Sequence, residues 1–356
     1  MTRVLAVRLD NVGDVLLTGP AVRAMANSAD RVDMLVSPAG RLAAAMLPGV
    51  DETLEFDPPW SGFRPPRVDD VAILQLVDRL RRRAYDRALI FTSFHQSPLP
   101  MALLARMAGI GWLGATSVDY PGSLLDLRHR RDEEHEVDAA LALAREAGFR
   151  LSQGDDGRLA VRRPLPEVSE LVPAGPFVVL HPGASVPSRG LLPEHARDIA
   201  YGLIERGWQV VVTGTASDAA LVAAATPRGA RGLAGRTDLP ALAALIDRAA
   251  CVVAGNTGPA HLAAAVGTPV VSLFAPVVPA ERWAPYGVPS VVLGDQDAPC
   301  RGTRARYCPV PGHPCVSDVA PDVVATVVER LVERADRPTA ERLHHSRPTS
   351  RAVNAS

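Results

Sequence analysis

The feature that most limits the fold of this chain is a regular alternation of two kinds of segment. Short runs of β-branched and aliphatic residues, such as residues 4–8 and 32–36, are separated by alanine- and leucine-rich segments with a helical period, such as residues 20–29. Strands that alternate with helices form parallel sheets, because each helix carries the chain back to the start of the next strand. The sequence therefore predicts an α/β fold.

The alternation occurs twice and is interrupted once. A helical pattern over residues 134–147 ends the first series, and a strand at Phe177–His181 starts the second. The stretch between them contains four prolines and has no helical period. A chain of 356 residues is long enough to form two cores. We predict an N-terminal domain over residues 1–165, a C-terminal domain over residues 176–335 and a disordered tail over residues 336–356.

Composition excludes several functions. The chain has 38 basic side chains, all of them arginine, against 39 acidic ones, so its net charge of −1 provides no basic surface for nucleic acid. Arg8 and Asp10 interrupt the N-terminal apolar run before a signal peptide could form. Glycines and prolines interrupt the long stretch without charged residues at 251–280, which predicts two buried strands and a short helix instead of a membrane span. With only four cysteines, we expect a cytoplasmic protein.

The first candidate site follows the first predicted strand, in the segment Asp10-Asn11-Val12-Gly13-Asp14. Gly13 permits a tight turn into a helix that we expect to start near Val15. Asp14 would then lie at the carboxyl edge of the sheet, where open α/β domains bind their ligands. A structural role for Asp14 as the N-cap of that helix is the alternative. The dinucleotide-binding pattern G-x-G-x-x-G is absent, which argues against a dehydrogenase.

A second candidate site follows the strand Phe177–His181. Its loop contains Gly183, Ser185 and Arg189, so it offers backbone N–H groups, a hydroxyl and a guanidinium to an anion. An ordinary loop with a surface arginine is the alternative.

The third candidate site is the start of a helix after the predicted strand 251–254. The free N–H groups near Gly258 and the hydroxyl of Thr257 would bind a diphosphate, and His261 lies in the first turn. A lone histidine at a helix start is more often a packing residue. The presence of a second anion-binding loop in the same domain favours the functional interpretation.

These segments resemble the motifs of glycosyltransferase family 9, the heptosyltransferases. The resemblance rests on NVGDVLLTGP at 11–20, HPGA at 181–184 and TGPAHLAAAVGTP at 257–269, with weaker similarity at 233–237, 272–276 and 282–287. It covers about residues 3–333. It implies a GT-B architecture, in which two Rossmann-like parallel-sheet domains face each other across a cleft. The C-terminal domain would bind a nucleotide-sugar donor, and the N-terminal domain would bind the acceptor.

The resemblance also implies an activity and its residues. Family members transfer a sugar with inversion and without metal or cofactor, usually a heptose from ADP-heptose, to a glycan, glycolipid or other acceptor hydroxyl, as in lipopolysaccharide biosynthesis. By resemblance Asp14 is the general base, and Asn11 and Gly13 belong to the acceptor-side loop. Arg189 stands where the family generally has lysine, and Asn256 where it has aspartate. The implied donor-binding residues are Gly183, Ser185, Arg189, Gly214, Asp218, Asn256, Thr257, Gly258 and His261.

Two other functions on the same architecture stay open. A nucleotide-sugar epimerase would need acid and base groups on both faces of the sugar, and for Asp14 the sequence offers no identified partner. A sugar-nucleotide-binding protein that has lost transfer activity would bind the donor without turnover.

Two further motifs point to the surface or to a loop. Cys300, Cys308 and Cys315, with His313 nearby, lack the short C-x2–4-C pairs of structural zinc sites, so we expect free thiols or one disulfide and no metal. The arginine-rich segment 79–83 would suit peripheral contact with the inner face of the cytoplasmic membrane. Its flanking aspartates favour a solvated helix face.

Overall fold

Two parallel sheets organise the part of the chain that this computed structural model describes, residues 2–62 and 65–336. The strands of the first sheet are β1 Arg3–Arg8, β2 Arg31–Val36, β3 Glu52–Glu55, β4 Arg87–Ile90, β5 Trp112–Thr116 and β6 Leu127–His129. Those of the second are β7 Phe177–His181, β8 Gln209–Gly214, β9 Arg231–Ala234, β10 Cys251–Gly255, β11 Val270–Leu273 and β12 Ser290–Leu293. The predicted α/β fold with two Rossmann-like sheets is confirmed.

Helices cover both faces of each sheet. The helices of the N-terminal part are α1 Val12–Ala26, α2 Arg41–Met46, α3 Asp70–Arg83, α4 Leu99–Met107 and α5 Glu136–Glu146. Those of the C-terminal part are α6 Pro193–Glu205, α7 Ala219–Ala225, α8 Leu239–Asp247, α9 Gly258–Val266, α10 Ala280–Trp283, α11 Pro314–Ser317 and α12 Pro321–Asp336. The predicted tail lies outside the described residues after Asp336, and the domain boundaries at 165 and 176 stay a prediction.

The two sheets have the same topology. Their strand orders are β3-β2-β1-β4-β5-β6 and β9-β8-β7-β10-β11-β12, and every pair is parallel. In each sheet the order reverses beside the first strand, between β1 and β4 and between β7 and β10. Open α/β sheets bind ligands at the carboxyl ends of the strands at this reversal. The loops after β1 and β7 are therefore placed where ligand binding is expected.

α1 is buried at the interface between the two halves. Apolar residues lie on all sides of this helix, as expected for a helix without a solvent face. It packs on α5 and, across the interface, on α9. One continuous apolar cluster includes Val4 and Leu16 from the N-terminal half and Leu262 and Ala263 from the C-terminal half. Apolar residues from both halves thus pack together at the base of the cleft between the domains.

Two local expectations were wrong. α1 begins at Val12, three residues before the predicted start, and its N-cap residue is Asn11, whose backbone is extended. Asp14 therefore lies inside the first turn and is not the N-cap. The helix predicted to start at His261 starts at Gly258, because Pro259 suits a first helical turn.

The stretch 251–280 forms β10, α9 and β11, as predicted. No helix within residues 2–62 and 65–336 has both the length and the apolar character that crossing a bilayer requires.

Candidate active site

A cavity of about 410 Å³ lies between the two domains at the carboxyl ends of β1 and β4. Its lining includes Asp10, Asn11 and Asp14 from the N-terminal half, and Arg189, Trp283 and Arg304 from the C-terminal half. The structure thus brings the candidate base and the candidate phosphate-binding arginine to opposite walls of one cavity.

Asp14 presents its carboxylate to this cavity from the first turn of α1. The side chain is 21% exposed. Its Oδ1 accepts a hydrogen bond from Arg8 Nη2 at 3.0 Å and lies 3.5 Å from Nε1 of Trp283 in the second domain. The carboxylate is therefore held by its own domain and contacted weakly by the other one.

Arg8, at the end of β1, is the centre of a buried charge cluster. Its Nε lies 2.7 Å from Asp10 Oδ2, its Nη2 lies 3.5 Å from Glu136 Oε2, and Nη2 also donates to Ser93 Oγ at 2.9 Å. Burial alone would lower the pKa of Arg8, but Asp10, Asp14 and Glu136 raise it overall. Arg8 is consequently a fixed cation between three carboxylates.

Asp10 is the member of this cluster with a perturbed carboxyl group. Burial raises the pKa of Asp10 to about 6, although Arg8 opposes the shift. Gln96 Nε2 donates to Asp10 Oδ1 at 2.6 Å. A carboxyl group that titrates close to neutral pH therefore lies in the wall of the cavity.

On the opposite wall, Arg189 ends a short 3-10 turn, Pro187–Arg189, after β7. Its Nε is buried and has no hydrogen-bond partner among the described residues. Burial lowers the pKa of Arg189, while Asp14 opposes this shift. The guanidinium therefore faces the cavity without a carboxylate partner within the described residues.

Arg304 reaches the same cavity from a loop that is tied to the Arg189 turn. Its backbone N–H donates to Val277 O at 2.8 Å, and its φ of +56° lies in the left-handed region. Ser188 N donates to Arg306 O at 3.1 Å. The segments that carry the two cavity-lining arginines are therefore joined by the main-chain hydrogen bond between Ser188 and Arg306.

Three of the predicted donor residues form a group at the carboxyl ends of β7 and β8. A Cβ at Gly183 would lie 3.2 Å from Asp218 Cγ, and one at Gly214 would lie 3.0 Å from Asp218 Cβ. Asp218 Oδ2 accepts hydrogen bonds from Thr215 N at 2.9 Å and Thr215 Oγ1 at 2.6 Å. Ser185 is exposed in the neighbouring loop. These residues do not line the cavity that contains Asp14.

The residues at the start of α9 lie at the packed base of the cleft. Asn256 is buried, and its Nδ2 has no hydrogen-bond partner among the described residues. Thr257 is the N-cap residue, and a Cβ at Gly258 would lie 3.3 Å from Val12 Cγ1. His261 is buried, which lowers its pKa to about 4. This part of α9 therefore adjoins the first turn of α1 without lining the cavity.

His261 makes close contact with Gly13. A Cβ at Gly13 would lie 2.8 Å from His261 Cδ2, so only glycine fits there without movement. Of the residues predicted for the site, Asn11, Asp14 and Arg189 meet in the cavity, while Gly13 and His261 form the contact beneath it.

Sequence reasoning missed several residues of this site. Arg8 had a usable signal, because a charged residue follows the apolar run Val4–Val7 and is itself followed two residues later by Asp10. Glu136 and Arg304 come from distant segments and had no local signal, whereas Trp283 lies in the segment 282–287, whose weaker family similarity indicated no role for it.

The cysteine motif forms a separate feature. Cys300, Cys308 and Cys315 line a cavity of about 300 Å³, and all three thiols are free. Burial raises the pKa of Cys315 to about 12. Within residues 2–62 and 65–336, no group of three or more His, Cys, Asp or Glu side chains is suited to hold a metal ion.

The arginine-rich segment at the end of α3 pairs with its own domain. Arg83 Nη1 donates to Glu52 Oε2 at 2.6 Å, Arg79 Nη2 donates to Glu55 O at 2.6 Å, and Arg81 pairs with Asp78.

Two Rossmann-like parallel-sheet domains that face each other across a cleft form the GT-B architecture of glycosyltransferases. The sequence model for glycosyltransferase family 9 (heptosyltransferase) matches residues 73–312. The chain belongs to this family, and it is a family 9 glycosyltransferase. No curated protein sequence matches the chain.

Solved structures share the fold over nearly the whole chain. ADP-heptose LPS heptosyltransferase II from E. coli is 23% identical, with a TM-score of 0.70 over 95% of this chain and 100% of that chain. A family 9 glycosyltransferase from Veillonella parvula is 17% identical, with a TM-score of 0.75 over 94% and 98%. E. coli heptosyltransferase WaaC, solved with ADP-2-deoxy-2-fluoro heptose, is 18% identical, with a TM-score of 0.68 over 92% and 99%.

Proposed function

We propose that this glycosyltransferase moves a heptose from ADP-heptose to a hydroxyl group, with inversion at the anomeric carbon and without a metal ion. The observation that carries the proposal is the position of Asp14 and Arg189 on opposite walls of one 410 Å³ cavity. The donor is inferred from the relatives: heptosyltransferase II is named for ADP-heptose, and WaaC was solved with an ADP-heptose analogue.

The proposed reaction is a single displacement. Asp14 accepts the proton of the acceptor hydroxyl while the hydroxyl oxygen bonds to the anomeric carbon. The bond between that carbon and the diphosphate oxygen breaks on the opposite side, and the electron pair leaves with the diphosphate. One carboxylate is sufficient for this route, because no covalent sugar intermediate requires a nucleophile and the diphosphate leaves as an anion without a proton from a general acid.

The charge of the departing diphosphate must be balanced where it develops. Arg189 and Arg304 approach the cavity from the C-terminal half, and neither guanidinium has a carboxylate partner within the described residues. Guanidinium groups pair with phosphate oxygens in a bidentate manner, so they supply the positive charge that a metal ion provides in other enzymes. We therefore expect transfer to continue in the presence of EDTA.

The acceptor is assigned to the N-terminal side of the cleft. A second cavity of about 340 Å³ adjoins the first and shares Ser61, His95, Gln96 and Arg304 with it. Its other lining residues include Trp60 and Phe91, whose aromatic rings suit the apolar face of a sugar. We propose a cell-envelope glycan or glycolipid, such as a lipopolysaccharide core, as the acceptor, with the reaction in the cytoplasm or at the inner face of its membrane.

The central test is Asp14→Asn. The variant keeps the shape of the side chain but cannot take the proton, so we expect transfer to fall by about 10²-fold to 10⁴-fold while binding of ADP-heptose is unchanged. Asp57→Asn is the matched control, because it removes a different carboxylate from the same cavity. An epimerase would convert the donor without an acceptor, and an inactive binding protein would have no turnover to lose.

The donor is tested by thermal shift. A ligand that binds only the native state raises the melting temperature. ADP-heptose should therefore stabilise the protein more than the corresponding UDP, GDP and dTDP sugars. A larger shift with another nucleotide sugar would replace the donor in this proposal, and no shift with any of them would reject a nucleotide-sugar donor.

A further inference from the structure

One buried guanidinium is shared by three carboxylates next to the cavity. The exposed fractions of the side chains of Arg8, Asp10 and Glu136 are only 3%, 9% and 2%. Asp10 occupies the Nε side of Arg8, whereas Asp14 and Glu136 approach Nη2. Glu136 also has a cation of its own, because Arg131 Nη1 donates to its Oε1 at 2.7 Å. Asp10 and Asp14 are therefore the main competitors for the charge of Arg8.

We propose that Arg8 is a positioning residue for Asp14, and that Asp10 limits how strongly the guanidinium of Arg8 binds the Asp14 carboxylate. The proposal rests on the function proposed above, in which Asp14 is the base. A base must be ionised before the reaction and must still accept a proton during it. A nearby cation favours the ionised form, but a cation paired with one carboxylate alone makes that carboxylate a weaker proton acceptor. Sharing Arg8 between Asp10 and Asp14 meets both requirements.

The geometry supports a role in aiming Asp14. Arg8 Nη2 donates to both Asp14 Oδ1 and Ser93 Oγ, so the guanidinium is fixed by groups from α1 and from the loop after β4. Because the strand β1 is buried and paired on both sides, the backbone that carries Arg8 is held in the sheet. The carboxylate of Asp14 is consequently oriented by a side chain that projects from the centre of the N-terminal sheet.

The charges that face Asp14 come from several elements. They are Arg8 from β1, Asp10 from the β1–α1 loop, Glu136 from α5, Arg189 from the turn after β7, His261 from α9, and His95, Asp57 and Arg304 around the cavity. Burial lowers the pKa of both His95 and His261 to about 4, so these two are neutral near pH 6. Burial raises the pKa of Asp10 to about 6.

A pH dependence follows from this difference. Below pH 6 Asp10 is protonated and no longer holds the Nε side of Arg8, so the guanidinium attracts Asp14 more strongly. Transfer should therefore decrease as the pH falls through about 6. This decrease of transfer near pH 6 requires both Arg8 and Asp10, so it should be absent when either residue is changed.

Asp10→Asn tests the proposal because it resembles protonated Asp10 in shape and charge at every pH. At pH 8 we expect kcat/KM to fall by about threefold to tenfold, as the Brønsted behaviour of a weakened base predicts. The plot of kcat/KM against pH should lack the inflection near pH 6. Its remaining decrease on the acid side, the acid limb, should lie at lower pH than in the wild type. Asp57→Asn, which removes a carboxylate of the same cavity that does not contact Arg8, should keep the inflection.

Arg8→Lys is the second variant, because it keeps a positive charge at the end of β1. One ammonium group cannot reach Asp10, Asp14 and Glu136 together, so the ionised carboxylates lose stabilisation. The acid limb should therefore move to higher pH, opposite to its movement in Asp10→Asn. Movement in the same direction in both variants, or a wild-type profile without an inflection near pH 6, would overturn the proposal.

Asp14→Asn separates this proposal from the proposed function. If Asp14→Asn retains transfer, Asp14 is not the base and both proposals fail. If Asp14→Asn is inactive while Asp10→Asn and Arg8→Lys keep the wild-type pH profile, the function stands and the positioning role of Arg8 is rejected. Melting curves of each variant show that the folded enzyme is being compared.

Discussion

Gly255 provides a direct test of how the Arg189 wall of the cavity is positioned. The residue ends β10, and a Cβ placed there would lie 2.1 Å from Arg189 O and 3.3 Å from Arg189 C. Main-chain atoms cannot avoid the contact by a rotamer change. Since an ordinary contact needs about 3.4 Å, Gly255→Ala must separate β10 from the Arg189 turn by about 1 Å.

We expect this displacement to reduce kcat/KM by about 10²-fold, the order of magnitude that a 1 Å misplacement of a binding group costs. Overpacking should also lower the free energy of unfolding by about 1–3 kcal/mol. The assay measures kcat/KM over a range of ADP-heptose concentrations together with denaturant unfolding. Gly202→Ala is the matched control, because a Cβ at Gly202 in α6 would meet Pro321 only at 3.6 Å. A Gly255→Ala enzyme with wild-type kcat/KM and stability would refute the reasoning.

Two further predictions concern the packed base of the cleft and the second sheet. Gly13→Ala should lower the free energy of unfolding by about 1–3 kcal/mol, because its Cβ would lie 2.8 Å from His261 Cδ2, and the same substitution should cost less in a His261→Ala background. Thermal unfolding of the two single variants and the double variant measures this coupling, and an equal loss from Gly13→Ala in both backgrounds would contradict it. Burial lowers the pKa of His181 to about 4, whereas an unfolded histidine has a pKa near 6.5. The stability from neutral His181, roughly 3 kcal/mol, is therefore present above pH 6.5 and lost as the pH falls towards 4. In His181→Asn the difference in unfolding free energy between pH 8 and pH 5 should be smaller, and an unchanged difference would refute this assignment.

The fold was largely predictable because buried parallel strands are continuous apolar runs. β1, β7, β8, β10 and β11 have such runs, the run of β2 is interrupted only by Asp33, and the pattern located each of them. β5 and β6 were missed, because β5 contains Gly114 and Ala115 and β6 has only three residues, two of them Arg128 and His129. β12, which has only four residues and is half-buried at the edge of the sheet, was also missed.

The site was predictable only in part. Asp14 and Arg189 follow the first strand of each series, and the shared topology places both strands at the reversal of their sheets. Local pattern was therefore sufficient to nominate both residues. Glu136 is 128 residues from Arg8 along the chain (136 − 8), and Trp283 lies in the other domain. A sequence period reports which side of an element is buried and carries no information on its distant partners.

A contribution to folding stability does not explain the buried charge cluster around Arg8. Removing a guanidinium and a carboxylate from water costs several kcal/mol per ion, and well-packed apolar residues often replace buried ion pairs without loss. Elsewhere β1 follows the apolar rule, with Val4, Leu5, Ala6 and Val7 fully buried. The rule is broken at Arg8, the residue whose guanidinium contacts a carboxylate of the cavity. Local rules of folding are most often broken where function requires it. A charged residue that ends an apolar strand just before a ligand-binding loop is therefore a signal that sequence analysis can use.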